Sequence, residues 1–393
     1  MKRNLALLSA FAIIIAACGG TSTDTTAAPG TTVGATATTA ASPDTAAGAS
    51  DTTVAGDPMG ALVAAAEAEG MLTTIALPHD WCNYGAVIDG FKAKYPNIEV
   101  NELVPDAGSA DEIEAIKANQ NNPGPQAPDV IDVGLAFGPS SKAEGLIQPY
   151  KVSTWDSIPD DAKDADGYWY GDYYGVLAFE VNTAVQADVP TDWADLLDPK
   201  YNGQIALAGD PRASNQAIFS VYASALGNDG SLDDAQPGLD FFAQLNTAGN
   251  LVPLIAESGT VASGETPVTI RWTYNALANR DENGDSIQVV VPATGRFGGV
   301  YVQAISTYAP HPNAAKLWME YLYSDEGQLG WLSGYCNPIR YEDMAARGVV
   351  PADLAAKLPD TVGAVFPTIE QIEAAKTLIV EGWDSTVGLN VGG

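Results

Sequence analysis

Leu72-Thr73-Thr74-Ile75-Ala76-Leu77 is the first of three short branched runs, followed by Ile98-Glu99-Val100-Asn101-Glu102-Leu103-Val104 and Val130-Ile131-Asp132-Val133. Each is closed off by Pro, Gly, Asp or Asn, the pattern of strands buried in a sheet. Between them, Gly85 to Tyr95 puts Val87, Ile88, Phe91 and Tyr95 on one helical face, and Ala110 to Asn119 does the same with Ile113 and Ile116. Strand and helix alternating at this spacing predict a mostly parallel α/β sheet.

A second series follows in Gln204 to Ala208, Val268 to Trp272 and Ile287 to Val291, with helices around Gln216 to Leu226 and Gly238 to Leu245. Two sheets are therefore expected. The chain then returns through Gly298 to Thr307 to an amphipathic helix, Asn313 to Tyr323, and a last helix near Ile369 to Val380. If these C-terminal helices complete the first lobe, the chain crosses between lobes near Gly175 to Asn182 and again near Val300 to Thr307. Paired crossings make a hinge, and a hinge between two α/β lobes makes a closable cleft.

The N-terminal region carries a different signal. Lys2-Arg3, the apolar stretch Leu5 to Ala17 and the small residues before Cys18 have the layout of a cleavable export segment, too short to span about 30 Å of hydrocarbon. Ile15-Ala16-Ala17-Cys18-Gly19-Gly20 resembles a bacterial lipoprotein lipobox, which implies cleavage before Cys18 and its acylation. From Thr21 to Gly56 the chain is nearly all Thr, Ala, Gly, Ser, Pro and Asp, too poor in apolar surface to offset the entropy of ordering. It reads as a tether.

Lys+Arg 18 against Asp+Glu 49 gives a formal charge of -31. That balance argues against a nucleic-acid partner, whose phosphates need a basic footprint. After Cys18 only Cys82 and Cys336 remain, and an even pair in an exported chain favours a disulfide over two buried thiols. No ligand spacing for zinc is present, and no metal or cofactor is expected.

Asp192-Trp193-Ala194-Asp195-Leu196-Leu197-Asp198-Pro199-Lys200-Tyr201-Asn202-Gly203-Gln204-Ile205 resembles the W-x-D-L-x-D-P-x-[YW]-x-G-[KQ]-[IV] stretch of the extracellular solute-binding proteins of ABC importers, in the group handling ferric iron, polyamines, thiamine, phosphonates and sugar phosphates. Ala314 to Gln328 and the loop Gly334 to Arg340, ending in Pro-Ile-Arg, fit in register. The resemblance implies a two-lobed, type II periplasmic-binding-protein-like α/β fold. It implies residues 1–17 as signal peptide, 18–56 as lipidated Cys and tether, 57–178 with 304–393 as lobe 1, and 179–303 as lobe 2. It further implies a monomer on the outer face of the cell membrane, held by its lipid, that closes on a small molecule and hands it to an ABC permease. In the family Cys336 returns near the cleft, within reach of Cys82.

Candidate ligand contacts fall in loops after strands, where sites in open α/β sheets form. Trp81, Asn83 and Tyr84 follow the first strand, and Asp106 and Ser109 follow the second. Arg212, Ser214 and Asn215 open a helix whose unpaired N–H groups suit an anion. Arg271, Trp272 and Tyr274 form a third cluster, with Arg296 and Arg340 nearby. Ferric-binding relatives carry a Tyr-Tyr pair where Thr273-Tyr274 stands, so one phenolate is missing here. The arginines favour an anionic organic ligand. A cationic amine held by Trp81, Tyr84, Trp272, Tyr274 and carboxylates such as Asp106 or Glu180 is the alternative. A secreted glycoside hydrolase and an adhesive surface protein are the other classes, with none of the common catalytic motifs present.

Overall fold

The computed structural model describes residues 57–392, so the expected signal peptide, Cys18 and tether lie outside the described residues. Eleven strands are ordered along the chain. They are β1 (Met71–Ile75), β2 (Glu99–Leu103), β3 (Val130–Gly134), β4 (Ile147–Gln148), β5 (Tyr170–Asn182), β6 (Ile205–Leu207), β7 (Leu251–Ile255), β8 (Val268–Trp272), β9 (Ile287–Val290), β10 (Gly298–Ser306) and β11 (Asn337–Pro338). No helix among the described residues is long and apolar enough to cross a membrane.

The branched run of β3 is buried along its whole length, as is that of β8, because sheet faces on both sides are covered. β1 pairs β2 in parallel, and β6 lies parallel to both β7 and β8. The ladders of β10 with β3 and of β5 with β10, β8 and β9 are antiparallel, so the sheet is mixed rather than mostly parallel. Nor are there two separate large sheets. A single nine-stranded sheet runs β3-β10-β5-β8-β6-β7, with β4, β9 and β11 paired off this path.

β5 joins the two halves of that sheet. Its residues Tyr170 to Val176 pair with β10, and Leu177 to Val181 pair with β8. The exchange of partners falls between Val176 and Leu177, and β10 begins its ladder with Gly298 opposite Val176.

Helices fix the two halves. Asp57 caps the helix Pro58–Glu69 by accepting from Met59 N at 3.1 Å, and Glu69 in turn caps the helix Pro312–Leu322 by accepting from Asn313 N and Ala314 N. That second helix buries Leu317, Trp318, Met319 and Leu322 beside Phe91 of the helix Tyr84–Lys94. The last helix is Ile369–Thr386. Its Trp383 packs on Phe242 of the helix Gln236–Ala248, and its Lys376 Nζ reaches Ala136 O in the other half. It therefore straps one half to the other.

Candidate functional site

A cavity of about 380 Å³ opens between the two halves, a size suited to small molecules. One wall comes from the Pro78 to Trp81 loop after β1, the Asp106 to Ser109 loop after β2, Glu112, Asp132 of β3 and Tyr301 of β10. The facing wall comes from Ala208 to Asp210 and Ala213 to Gln216 after β6, Ile255 to Gly259 after β7, and Arg271 and Asn275 at the end of β8. Strand C-terminal ends thus supply both walls, as the alternation of elements implied.

The walls touch. Ala110 N donates to Ala213 O at 3.3 Å, and Ser258 Oγ donates to Asp80 Oδ2 at 3.2 Å. Gly134, ending β3, meets Asn215 so closely that a Cβ there would lie 1.9 Å from the Asn215 Cγ. Any larger residue at 134 would hold the walls apart.

Behind the first wall runs a polar network. Asp132 Oδ2 accepts from Tyr84 OH at 2.8 Å and from Tyr173 OH at 2.7 Å, and Tyr173 OH accepts from Trp81 Nε1 at 2.7 Å. Glu112 Oε2 accepts from Asp132 N at 2.9 Å. Burial pushes the Asp132 carboxyl up to about 6, against the two tyrosine hydrogen bonds that hold it down. Burial, then repulsion from Asp132, raises Glu112 and the phenols of Tyr84 and Tyr173 well above their ordinary ranges.

On the second wall, buried polar atoms stand without partners in the chain. They include both amide atoms of Asn275 and the Arg271 Nε, whereas the Asn215 amide meets the Tyr301 hydroxyl across the cavity. Leaving such groups unpaired is costly, and Asn215, Asn275 and Arg271 all line the cavity. Ser214 stands at the N-cap of the helix Asn215–Leu226 without using its side chain as a cap.

Of the residues singled out from sequence, Trp81, Asp106, Ser109, Ser214, Asn215 and Arg271 line the cavity. Tyr84, Trp272 and Tyr274 stand behind it, buried in the core, where Trp272 and Tyr274 stack at 6.1 Å. Asn83 turns back to donate to Gly330 O at 3.1 Å. Arg212 is spent on Asp210 at 2.7 Å, with Asp384 and Asn390 beyond it. Arg296 donates to Pro292 O and Val362 O, and Arg340 is buried against Ser157, Tyr323 O and Asp343. Glu180 is fully buried and taken up by Arg271 at 3.1 Å and Asn279 at 2.6 Å. Sequence reasoning missed Glu112, Asn275 and Tyr301, whereas Asp132 is marked by its place at the end of the third branched run, a lone acid in an otherwise apolar strand.

Charge around the cavity runs opposite to the expectation drawn from the arginines. Asp80, Asp106, Asp111, Glu112, Asp132, Asp210 and Glu257 line it with Arg271; Asp210 is already paired with Arg212, and the Arg271 guanidinium with Glu180. Among the described residues no group of three or more His, Cys, Asp or Glu could hold a metal ion. Cys82 and Cys336 form the disulfide, joining the Trp81 loop to the segment before β11 with Cα atoms 5.5 Å apart.

Comparisons with known proteins agree with this architecture. A family model described as bacterial extracellular solute-binding protein matches residues 126–357. The "Probable ABC transporter periplasmic-binding protein y4fP" of Sinorhizobium fredii is 28% identical over 209 residues, 51% of this chain and 55% of that protein. The spermidine/putrescine-binding periplasmic protein of Escherichia coli is 25% identical over 244 residues, covering 58% of this chain and 67% of that one. The chain spans 66%, 55% and 63% of the length of three curated relatives that it matches. Among solved structures, the periplasmic binding protein AfuA of Actinobacillus pleuropneumoniae, with fructose-6-phosphate bound, superposes with a TM-score of 0.65 at 22% identity, over 81% of this chain and 98% of that one. Its likeness shows the type II periplasmic-binding-protein fold. The chain belongs to the bacterial extracellular solute-binding protein family.

Proposed function

We propose that this chain is the extracytoplasmic solute-binding component of an ABC import system, lipid-anchored at Cys18 and monomeric, which captures a small ligand by lobe closure and delivers it to a membrane permease. The cavity between two α/β halves, with β5 and β10 as the crossings near Val176 and Gly298, supports closure about those strands. The ligand is read as a cation carrying protonated nitrogen. The single observation behind that reading is the excess of carboxylates on the walls over one arginine already matched by Glu180.

Of the four arginines behind the anionic reading, Arg212, Arg296 and Arg340 are engaged away from the cavity and Arg271 is paired with Glu180, which favours the cation. Binding without turnover is the expected behaviour. The test is a thermal-shift and calorimetry panel of amines against organic anions, including spermidine, putrescine, thiamine and fructose-6-phosphate. Binding to the folded state raises its melting point. Stabilisation by amines alone supports the reading, and stabilisation by anions alone overturns it. Small-angle scattering with the bound amine should show compaction, and an unchanged radius of gyration at saturation would sink closure.

A further inference from the structure

Three carboxyl groups lie in one cluster behind the first wall, with Glu112, Asp132 and Asp172 only 1%, 5% and 0% exposed. Asp132 faces the cavity, and its two oxygens differ. Oδ2 accepts from two tyrosines, whereas Oδ1 is buried and takes no N–H or hydroxyl donor. Asp172 hydrogen-bonds the Asp132 carboxyl directly, and two further routes join them. Gln303 Nε2 lies 2.9 Å from Tyr84 OH and 3.0 Å from Asp172 Oδ2, and Tyr173, whose hydroxyl meets Asp132, donates its N–H to Asp172 Oδ1 at 2.7 Å.

The other titratable groups facing the cluster are phenols or acids. Tyr274, Tyr301 and Tyr323 flank it, and Asp111 lies next to Glu112 on the same helix. The cation of the facing wall, Arg271, is matched by Glu180. Three buried carboxyls with no counter-charge of their own cannot all ionise together.

We propose that the Asp132 carboxyl receives one protonated nitrogen of the ligand and that Asp172 sets the charge of this anchor, so that capture of the cation expels a proton to solvent. The exchange balances: a carboxylic acid and an ammonium ion become a carboxylate–ammonium pair and one free proton. This rests on the cationic reading of the ligand above. Asp132 supplies the charge, and Asp172, which does not reach the cavity, is a positioning residue acting on Asp132 directly and through Gln303, Tyr84 and Tyr173. Asp132 titrating near 6, with Asp172 pushed well above the carboxylate range by burial and by Asp132 itself, places the exchange within a physiological window.

Calorimetry with putrescine, spermidine and thiamine at pH 6, in two buffers of different ionisation enthalpy, counts the protons without any variant. Release of about half a proton per ligand is expected at pH 6, falling toward zero at pH 8, with affinity dropping up to about tenfold per pH unit below 6. Asp172→Ala removes a neutral carboxyl whose hydrogen bond holds Asp132 down, and the midpoint of the affinity against pH profile should move up by about one pH unit. Circular dichroism and a melting curve confirm that the variant folds. Amine binding with no buffer-dependent heat at pH 6 overturns the proton exchange and leaves the cationic reading standing. If no amine binds at any pH while an organic anion does, both fall together.

Discussion

The first wall of the cavity, built on β3 and the Trp81 loop, has nearly all its buried polar atoms engaged, whereas the second wall, built on the loops after β6 and β8, has many of them free. Trp81, Tyr173, Tyr84, Gln303, Asp132 and Asp172 form a continuous chain of hydrogen bonds. Across from it, the amide of Asn275 and the Arg271 Nε have no partners in the chain. A saturated network is rigid, and a buried unpaired group is a standing cost that a ligand removes. The contrast indicates a division of labour in which the first wall is preorganised to receive charge and the second gains its hydrogen bonds from the ligand.

The strongest way to break the first wall is to release its loop. The Cys82–Cys336 bridge closes a sequence separation of 254 residues, so replacing both cysteines with serine should cost on the order of 5 kcal/mol by the chain-entropy model. Cys82, Asn83 and Tyr335 all hold positive φ at or beside the bridge, a conformation that L residues resist. Thermal melts of oxidised and variant protein would measure the loss, and equal melting points would show that the bridge does not hold the wall.

Tyr84→Phe tests the network itself. It deletes a hydroxyl that donates to Asp132 and accepts from Gln303, and should destabilise the fold by about 1 to 3 kcal/mol in denaturant titration. On the second wall, Asn275→Ala removes an amide that satisfies nothing, so stability should change by less than about 0.5 kcal/mol, or rise, while ligand affinity falls roughly tenfold. Equal stability losses for the two variants would erase the distinction between the walls.

The acid cluster predicts a pH effect with a definite sign. Asp132, Asp172 and Glu112 are all raised in the folded state, which therefore holds more protons than the unfolded chain. Stability of the ligand-free protein should decline as pH rises from about 4 through 6, with a higher melting point at pH 5 than at pH 7. Asp325 and Asp343, held low by Arg347, lose their contribution only below the unfolded carboxylate range, outside this window. The smallest effect is expected at Arg212. Its partly exposed pair with Asp210 should be worth under about 1 kcal/mol, and Arg212→Ala should leave ligand affinity unchanged in titration calorimetry.

Much of this molecule was legible in its sequence because periodicity and turn residues are local signals. Val130 to Val133 and Val268 to Trp272 read as buried strands and are β3 and β8, and the loops after β1, β2 and β6 were placed at the site. The Asp192 to Ile205 stretch carried the family. Local signals do not say which way a side chain is turned. Arg212 and Arg296 stand in loops that suit anion recognition, yet tertiary neighbours from the C-terminal segment, Asp384, Asn390 and Val362, take them up. Trp272 ends a strand beside the cavity but points into the core, because alternation along β8 sends its neighbour Arg271 to the other face.

What the sequence determined by itself was the alternation of elements, the loops at strand ends that line the cavity and the acidity of the chain, since these follow from residue types counted along a line. Only the tertiary structure decided the sign of the cavity. The charge a ligand meets is the sum over groups brought together from β3, the Asp106 loop, the Asp210 loop and the segment after β7, less those paired off by distant partners. That sum depends on distances across the fold, and no local pattern contains it.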